Sequence, residues 1–174
     1  DNVATNMLID YLGIETINRC IEKLGCRDTM LHNSLHFDRY RQLGTTTARD
    51  YGSVFVRLAR GQLISDKADR EMVEILKKQH YNSMITKDFP PVYMDSDNTD
   101  DILIRVASKS GSMDACRNDG GIVYTPYGPY VLVMLNKGFS DAMYYPAHPA
   151  TVFGSKVSRL IFDQYLALEG RLKL

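Results

Sequence analysis

The 174-residue chain carries no net charge, since 21 lysines and arginines balance 21 aspartates and glutamates. That balance gives no electrostatic reason to expect a nucleic acid or an anionic membrane as partner. No apolar run approaches the roughly 20 residues that cross a bilayer as a helix, and no signal peptide is visible. Cysteine is scarce. Cys20, Cys26 and Cys116 are an odd number, which is no disulfide framework, and the spacing of the first two fits no common zinc pattern. The four histidines are scattered, so neither a metal site nor a metal cofactor is expected. Internal repeats and low-complexity tracts are missing as well. What remains is an ordinary globular composition, 44% hydrophobic and 24% charged, long enough for one domain or one large part of a domain.

Residues 2–12 read as a helix with Val3, Met7 and Leu8 on one side, stopped by Gly13. Ile14, Ile17, Ile21 and Leu24 then repeat at helical spacing until Gly25. Cys20 lies toward that apolar side and reads as a buried small hydrophobe. Residues 26–45 lose periodicity, and a structureless run of that length is usually functional or mobile. Thr47 with Asp50 three residues on resembles a capping box, with Asp replacing the usual Glu or Gln. The helix after it presents Tyr51, Val54, Phe55 and Leu58 and closes at Gly61. Ser65 can cap the next helix, with Met72, Val73, Ile75 and Leu76 on its buried side.

Pro90-Pro91 interrupts, and "MDSDNTDD" (94–101) reads as a turn. The texture then changes. "ILIRVA" (102–107) alternates like a strand. "GGIVYT" and "PYVLVML" are strand-like too, with Tyr127-Gly128 in the tight link between them. Residues 149–169 return to helical spacing at Val157, Leu160, Ile161 and Leu168. The chain thus reads as a helical region over 1–100 and a strand region with a closing helix over 101–174, both parts of one α+β domain.

The most informative local signal is "ASKSGS" (107–112). Lys109 offers charge, Ser110 a hydrogen bond, and Gly111 lets a ligand approach the backbone. On its own the segment is either an anion-binding strand end or a polar strand end running into a turn. Tyr124, Tyr127, Tyr130, Tyr144 and Tyr145 gather near the hairpin, as an aromatic ligand platform or as the half-buried face of a sheet. Arg105 and Arg117 flank the K-S-G segment, to bind a carboxylate or to pair with Asp114 or Asp119 at the surface.

Taken in order, "DNVATN" at the start, the capped helix in "LGTTTARDYGSVFVRLARGQLIS", "KSG" and the hairpin "RNDGGIVYTPYGPYVLVMLNKG" resemble the serine β-lactamase and penicillin-binding superfamily, in its class A-like branch. That family has three signatures, S-x-x-K, S-D-N and K-T/S-G. The resemblance covers nearly the whole chain. It implies a β-lactamase-like fold, an antiparallel sheet flanked by helices beside an all-helical region, with the active site between them. This chain would be a C-terminal portion, lacking the N-terminal helix, the first strands and the S-x-x-K helix.

By the same resemblance, Lys109 attracts the substrate carboxylate and supports the S-D-N serine. Ser110 hydrogen-bonds that carboxylate, and Gly111 keeps the strand edge open to the acyl group. Ser112 supplies a backbone N–H to the oxyanion hole. Asn2 matches the S-D-N asparagine, which touches the substrate's amide side chain and the catalytic lysine. Asp1 is structural in that motif, and Asn6 braces the neighbouring loop. The literal "SDNT" at Ser96–Thr99 is a turn cluster instead, because it stands only 11 residues before Lys109, whereas the family's motif lies far upstream and enters a helix.

Two expected elements are missing. No S-x-x-K occurs, since "SDK" at Ser65 and "SMITK" at Ser83 have the wrong spacing. The nucleophile and its base are therefore expected outside this chain, in an N-terminal portion of the same protein, with the S-D-N serine just before Asp1. The segment 26–45 corresponds to the family's omega loop, where a glutamate activates the deacylating water. Between Met30 and Thr46 there is none. Asp38, His36 and His32 are the only base candidates there, and each is also an ordinary solvated loop residue. The expectation is acyl transfer on a β-lactam or a peptidoglycan-like amide, in an extracytoplasmic setting, without a cofactor. The alternatives are a D,D-peptidase or sensor that deacylates slowly, and a non-catalytic relic.

Overall fold

The computed structural model describes residues 1–40, 42–82, 84–94 and 104–170. The turn cluster at Ser96–Thr99, Ser83, and the first two residues of the strand-like 102–107 fall outside them. Contacts group the chain into two units, 1–54 and 55–174.

In the first unit, α1 (Asn2–Leu12) is capped by Asp1, whose carboxylate accepts from the Val3 N–H at 2.7 Å. Gly13, at φ 78°, ends it in a conformation that favours glycine. The side of α1 expected to be buried faces outward among the described residues: Val3, Met7 and Leu8 are all exposed, and Ile9 is the buried residue. Helix α2 (Ile14–Lys23) follows directly. Cys20 is exposed on it, while Cys26 is buried, with its thiol 3.8 Å from the Asp50 carbonyl. The helix is turned so that Asn18, on the opposite flank from Cys20, meets the following segment.

That segment is not structureless. It forms a short antiparallel pair, β1 (Met30–Leu31) with β2 (Gly44–Thr45). Periodicity could not reveal a pairing only two residues long. Helix α3 (Ala48–Ala59) begins at Thr47, whose hydroxyl accepts from the Asp50 N–H at 3.2 Å.

In the second unit, α4 (Asp66–Lys77) is capped by Ser65, whose hydroxyl accepts from the Ala68 N–H. Asp69, fully buried, accepts from the N–H groups of Leu63 and Ile64 and so ties the connection before α4 to the helix. Val73 is buried as expected, whereas Ile75 is exposed. A single turn, α5 (Pro91–Met94), follows.

Three strands then form one antiparallel sheet in the order β3 (Arg105–Met113), β4 (Cys116–Thr125), β5 (Gly128–Lys137). The β4–β5 link holds because the Thr125 hydroxyl donates to the Gly128 carbonyl and Gly128 adopts φ 108°. Gly121 stands where a Cβ would come within 2.6 Å of the Ala107 carbonyl, so β3 lies unusually close to β4 there.

Helix α6 (Pro149–Ala167) covers one face of the sheet. Its inner side is not the expected apolar set. Leu160 is exposed, and the buried residues are Thr151, Gly154, Ser155, Ser158 and Phe162. Small residues allow close approach, and their hydroxyls bind the chain at 85–88: Ser158 donates to the Ile85 carbonyl and Ser155 to the Asp88 carboxylate, both at 2.7 Å. Phe162 stacks on Phe89 at 4.2 Å within a core that includes Ile85, Ile104, Val106 and Val123.

Candidate functional site

The K-S-G segment occupies the second half of β3, an edge strand of its sheet among the described residues. An edge strand offers a row of backbone donors and acceptors to a ligand. Lys109, Gly111 and Ser112 are exposed and Ser110 is half-buried. A Cβ built on Gly111 would meet nothing within 4 Å, and its φ lies outside the left-handed range. Packing and backbone strain therefore do not require glycine at this position.

Register sorts the segment by face. Lys109 pairs with Gly120, Ser110 with Asp119 and Ser112 with Arg117. Successive residues of a strand point to opposite faces. Ser110 and Ser112 thus share the α6 side with Val106 and Val123, and Lys109 lies on the other side, that of α4. A ligand along this edge meets the lysine from one face and the serine from the other. The Lys109 ammonium donates to the carbonyl of Ser110.

Behind the strand, Asp119 is buried and accepts from the N–H groups of Met84 and Ile85 at 3.3 and 3.1 Å. It fixes the chain at 84–85 to the middle of the sheet. Arg117 is also buried, contrary to the expectation of a carboxylate-binding or surface-paired side chain. Its guanidinium donates to the carbonyls of Met113, Cys116, Ala142 and Met143. The rings of Phe139 and Tyr144 lie 5.2 and 4.2 Å from its central carbon. This cation joins the β3–β4 turn to the 138–148 loop.

The tyrosines do not form one cluster. Tyr124, Tyr127 and Tyr130 lie near the β4–β5 turn, where Tyr130 packs on Tyr165 and its hydroxyl is pushed up by burial. Tyr144 and Tyr145 lie at the opposite end of the sheet, in the loop after β5. There the Tyr145 hydroxyl donates to Asp141 at 2.6 Å. That bond, with one from the Met143 N–H, holds the Asp141 carboxyl below its usual range and raises Tyr145.

A groove of about 440 Å³ runs beside α4 past Tyr124. Four of its charged side chains pair with one another, Arg70 with Asp66 at 3.2 Å and Lys77 with Glu74 at 2.8 Å. Lys77 holds the Glu74 carboxyl down and also lies over the Tyr124 ring. Among the described residues, no group of three or more Cys, His, Asp or Glu could hold a metal.

The remaining expected residues belong to the first unit. Asp1 caps α1, and Asn2 stands exposed at its first position. The Asn6 amide donates to the Leu35 carbonyl at 3.2 Å and accepts from the Leu35 N–H at 2.7 Å. Asn18 makes the same two-way bond to Leu31, at 2.8 Å in each direction. Asp50, buried, accepts from the Asp28 N–H and the Thr29 hydroxyl. Three side chains thus hold the 26–45 segment. The roles of Asn18 and Asp50 leave no local sequence signal, because their partners lie 13 or more residues away. His36 and Asp38 sit at the exposed tip, where Asp38 pairs with Arg39 at 3.7 Å. His32 is exposed as well, with its ring 3.2 Å from the Thr45 hydroxyl.

The profile of the Beta-lactamase enzyme family matches residues 1–165. Among solved structures, the β-lactamase from Sphaerobacter thermophilus is 25% identical with a TM-score of 0.76, covering 100% of this chain and 60% of that one. PBP-A is 23% identical, with a TM-score of 0.75 and coverage of 97% and 57%; a mutant of it was solved as an acyl-enzyme with penicillin G. A class A β-lactamase representative from Bacteroides cellulosilyticus shares the fold at 19% identity and a TM-score of 0.76, covering 96% and 60%. The chain thus spans about 60% of the length of the structures it matches. No curated protein sequence matches it.

Proposed function

Because the chain belongs to the β-lactamase enzyme family, we propose that it is the part of a serine hydrolase that holds the substrate carboxylate and helps stabilise the reacting carbonyl. The observation that carries this reading is the edge of β3. It presents Lys109, Ser110, Gly111 and Ser112 in succession, with open space at Gly111.

In the reaction, a serine oxygen adds to the carbonyl carbon of a β-lactam or related amide. The C–N bond breaks, the nitrogen takes a proton, and an ester to the serine remains. Water then hydrolyses that ester and restores the hydroxyl. Lys109 attracts the substrate carboxylate and Ser110 hydrogen-bonds it. The Ser112 N–H stabilises charge on the carbonyl oxygen, and Gly111 admits the acyl group. Asn2 is assigned the contact with the substrate's amide side chain. The nucleophile and its base lie outside these 174 residues, which contain no S-x-x-K. We place the protein outside the cytoplasm, where peptidoglycan-like substrates are found.

One observation favours a second reading, a penicillin-recognising protein that deacylates slowly. The 26–45 segment has no glutamate, and its candidate bases His36 and Asp38 are exposed at the tip. Both readings are tested on the full-length protein with a fluorescent penicillin and a chromogenic β-lactam. Steady turnover supports the hydrolase, and a stoichiometric burst followed by a stall supports the second reading. Absence of covalent labelling refutes both and leaves a binding relic. Lys109→Ala is expected to slow acylation at least tenfold, and an unchanged rate would refute its role.

A further inference from the structure

The β4 residue opposite Ser110 is Asp119, and the one opposite Ser112 is Arg117. Directly paired residues of an antiparallel sheet point to the same face, with their Cβ atoms about 5 Å apart. Asp119 therefore stands beside the hydroxyl assigned to the substrate carboxylate, and Arg117 beside the residue assigned to the carbonyl oxygen. Both lie on the α6 face with Val106 and Val123. The hydrogen bonds agree, because Asp119 holds Met84 and Ile85, and Ser158 of α6 holds the Ile85 carbonyl.

Asp119 is only 2% exposed, so its placement does not depend on what else packs against the sheet. One of its oxygens accepts from two backbone N–H groups, at 3.3 and 3.1 Å. Two such donors favour the ionised carboxyl. The segment that supplies them is itself fixed, by Ser158 at 2.7 Å and by Gly154, where a Cβ would come within 2.5 Å of the Met84 sulfur. The negative charge is thus held in place, and a buried charge is little screened by salt. Lys109 acts from the opposite face of the strand. By the assigned roles, a substrate carboxylate at Ser110 meets a cation from one side and an anion from the other.

We propose that Asp119 is a specificity-determining residue. Its buried carboxylate opposes a negative charge at Ser110 and partly offsets the attraction of Lys109. The K-S-G edge then also takes amides whose corresponding group is uncharged, such as an ester or a carboxamide. Asp119 touches no reacting atom and acts through the field at Ser110. The proposal rests on the acyl-transfer reading above.

The test measures acylation of the full-length protein by a penicillin and by its methyl ester. The readout is the ratio of the two second-order rates, acid over ester. Asp119→Asn keeps an oxygen for the two N–H groups and removes the charge. It is expected to raise the ratio about 5- to 20-fold, as two charges about 9 Å apart do at an effective dielectric of roughly 20–40. Asp119→Thr, a strand former whose hydroxyl still accepts, is expected to raise it as well, and serves if the asparagine variant does not fold. A ratio that is unchanged or lowered in the folded variants overturns the proposal while the acyl-transfer reading stands. Equal slowing with both compounds leaves the ratio unchanged and is what a purely structural role produces. A protein that folds with neither substitution makes Asp119 a folding residue and overturns the proposal too. If the unaltered protein is acylated by neither compound, the acyl-transfer reading fails and this inference fails with it.

Discussion

Gly111 and Gly121 lie on adjacent strands, yet alanine at the two positions is expected to act in opposite directions. At Gly121 the added carbon would lie 2.6 Å from the Ala107 carbonyl, 2.6 Å from the Ser108 Cβ and 2.8 Å from the Ser108 Cα. Ordinary contact begins near 3.4 Å, so about 0.8 Å of separation must be found between β3 and β4. None of the three atoms is the end of a flexible side chain. Overpacking of this kind costs about 1–3 kcal/mol, and the lower chain entropy of alanine returns roughly 0.5–1 kcal/mol. The net loss centres on about 1.3 kcal/mol within a span of about 0–2.5 kcal/mol, or about 3–5 °C in melting temperature at the centre for a domain of this size. At Gly111 only the entropic gain applies, so stability should hold or rise slightly. Acylation should nevertheless fall. A methyl group on the free edge pushes the substrate outward by about 1 Å, a misplacement that costs on the order of 100-fold. Thermal melts and fluorescent-penicillin labelling of the full-length variants give both quantities. If Gly111→Ala melts as low as Gly121→Ala, the edge is packed by something else and the reasoning fails; undiminished labelling would end the assignment of the edge to the substrate.

Asp50→Asn should loosen the 26–45 segment while α3 stays formed, seen as faster hydrogen exchange at Asp28, because the amide accepts less strongly from that N–H and from the Thr29 hydroxyl. Asp141 has a depressed folded-state pKa, so the stability it lends the 138–148 loop is present above its ordinary value of 3.8 and disappears as pH falls through the lower folded value. NMR of the Tyr145 ring should show the loop loosening only below about pH 4, and Asp141→Asn should remove that transition. Phe162→Ala should cost about 3–5 kcal/mol by urea unfolding, since the ring is buried and stacked on Phe89. A loss under 1 kcal/mol would show that α6 is not part of the core.

Local chemistry made much of the fold legible. Gly13, Ser65 and the Tyr127–Gly128 link act on their immediate neighbours, and they mark boundaries where the sequence shows them. The placement of 109–112 on a strand was readable because its four residues are contiguous. Features that depend on distant partners were not. Nothing near Asn18 or Asp50 indicates that they hold residues 28–31. The inner side of α6 was misread because an apolar pattern is the usual sign of burial, whereas this helix approaches the chain at 84–88 through glycine and serine. Cys20 reads as buried but is exposed, because α2 turns its Asn18 flank inward. Arg117 reads as a surface charge in any local window; two of its carbonyl partners, Met113 and Cys116, are local, and the return of the chain at 142–143 supplies the other two.

The way the 26–45 segment is held has a consequence for how it can evolve. Its attachments fall at residues 28–35 and again at 42–45, where Asn33 reaches the Gln42 carbonyl and His32 the Leu43 carbonyl. The described residues of the tip, 36–40, contribute none of these bonds. Three of the attachments, those of Asn6, Asn18 and Asn33, are neutral asparagine amides, insensitive to salt and to mild changes in acidity. Sequence drift at residues 36–38 therefore leaves the frame standing, and a carboxylate introduced there would test a new water-activating group without rebuilding the loop.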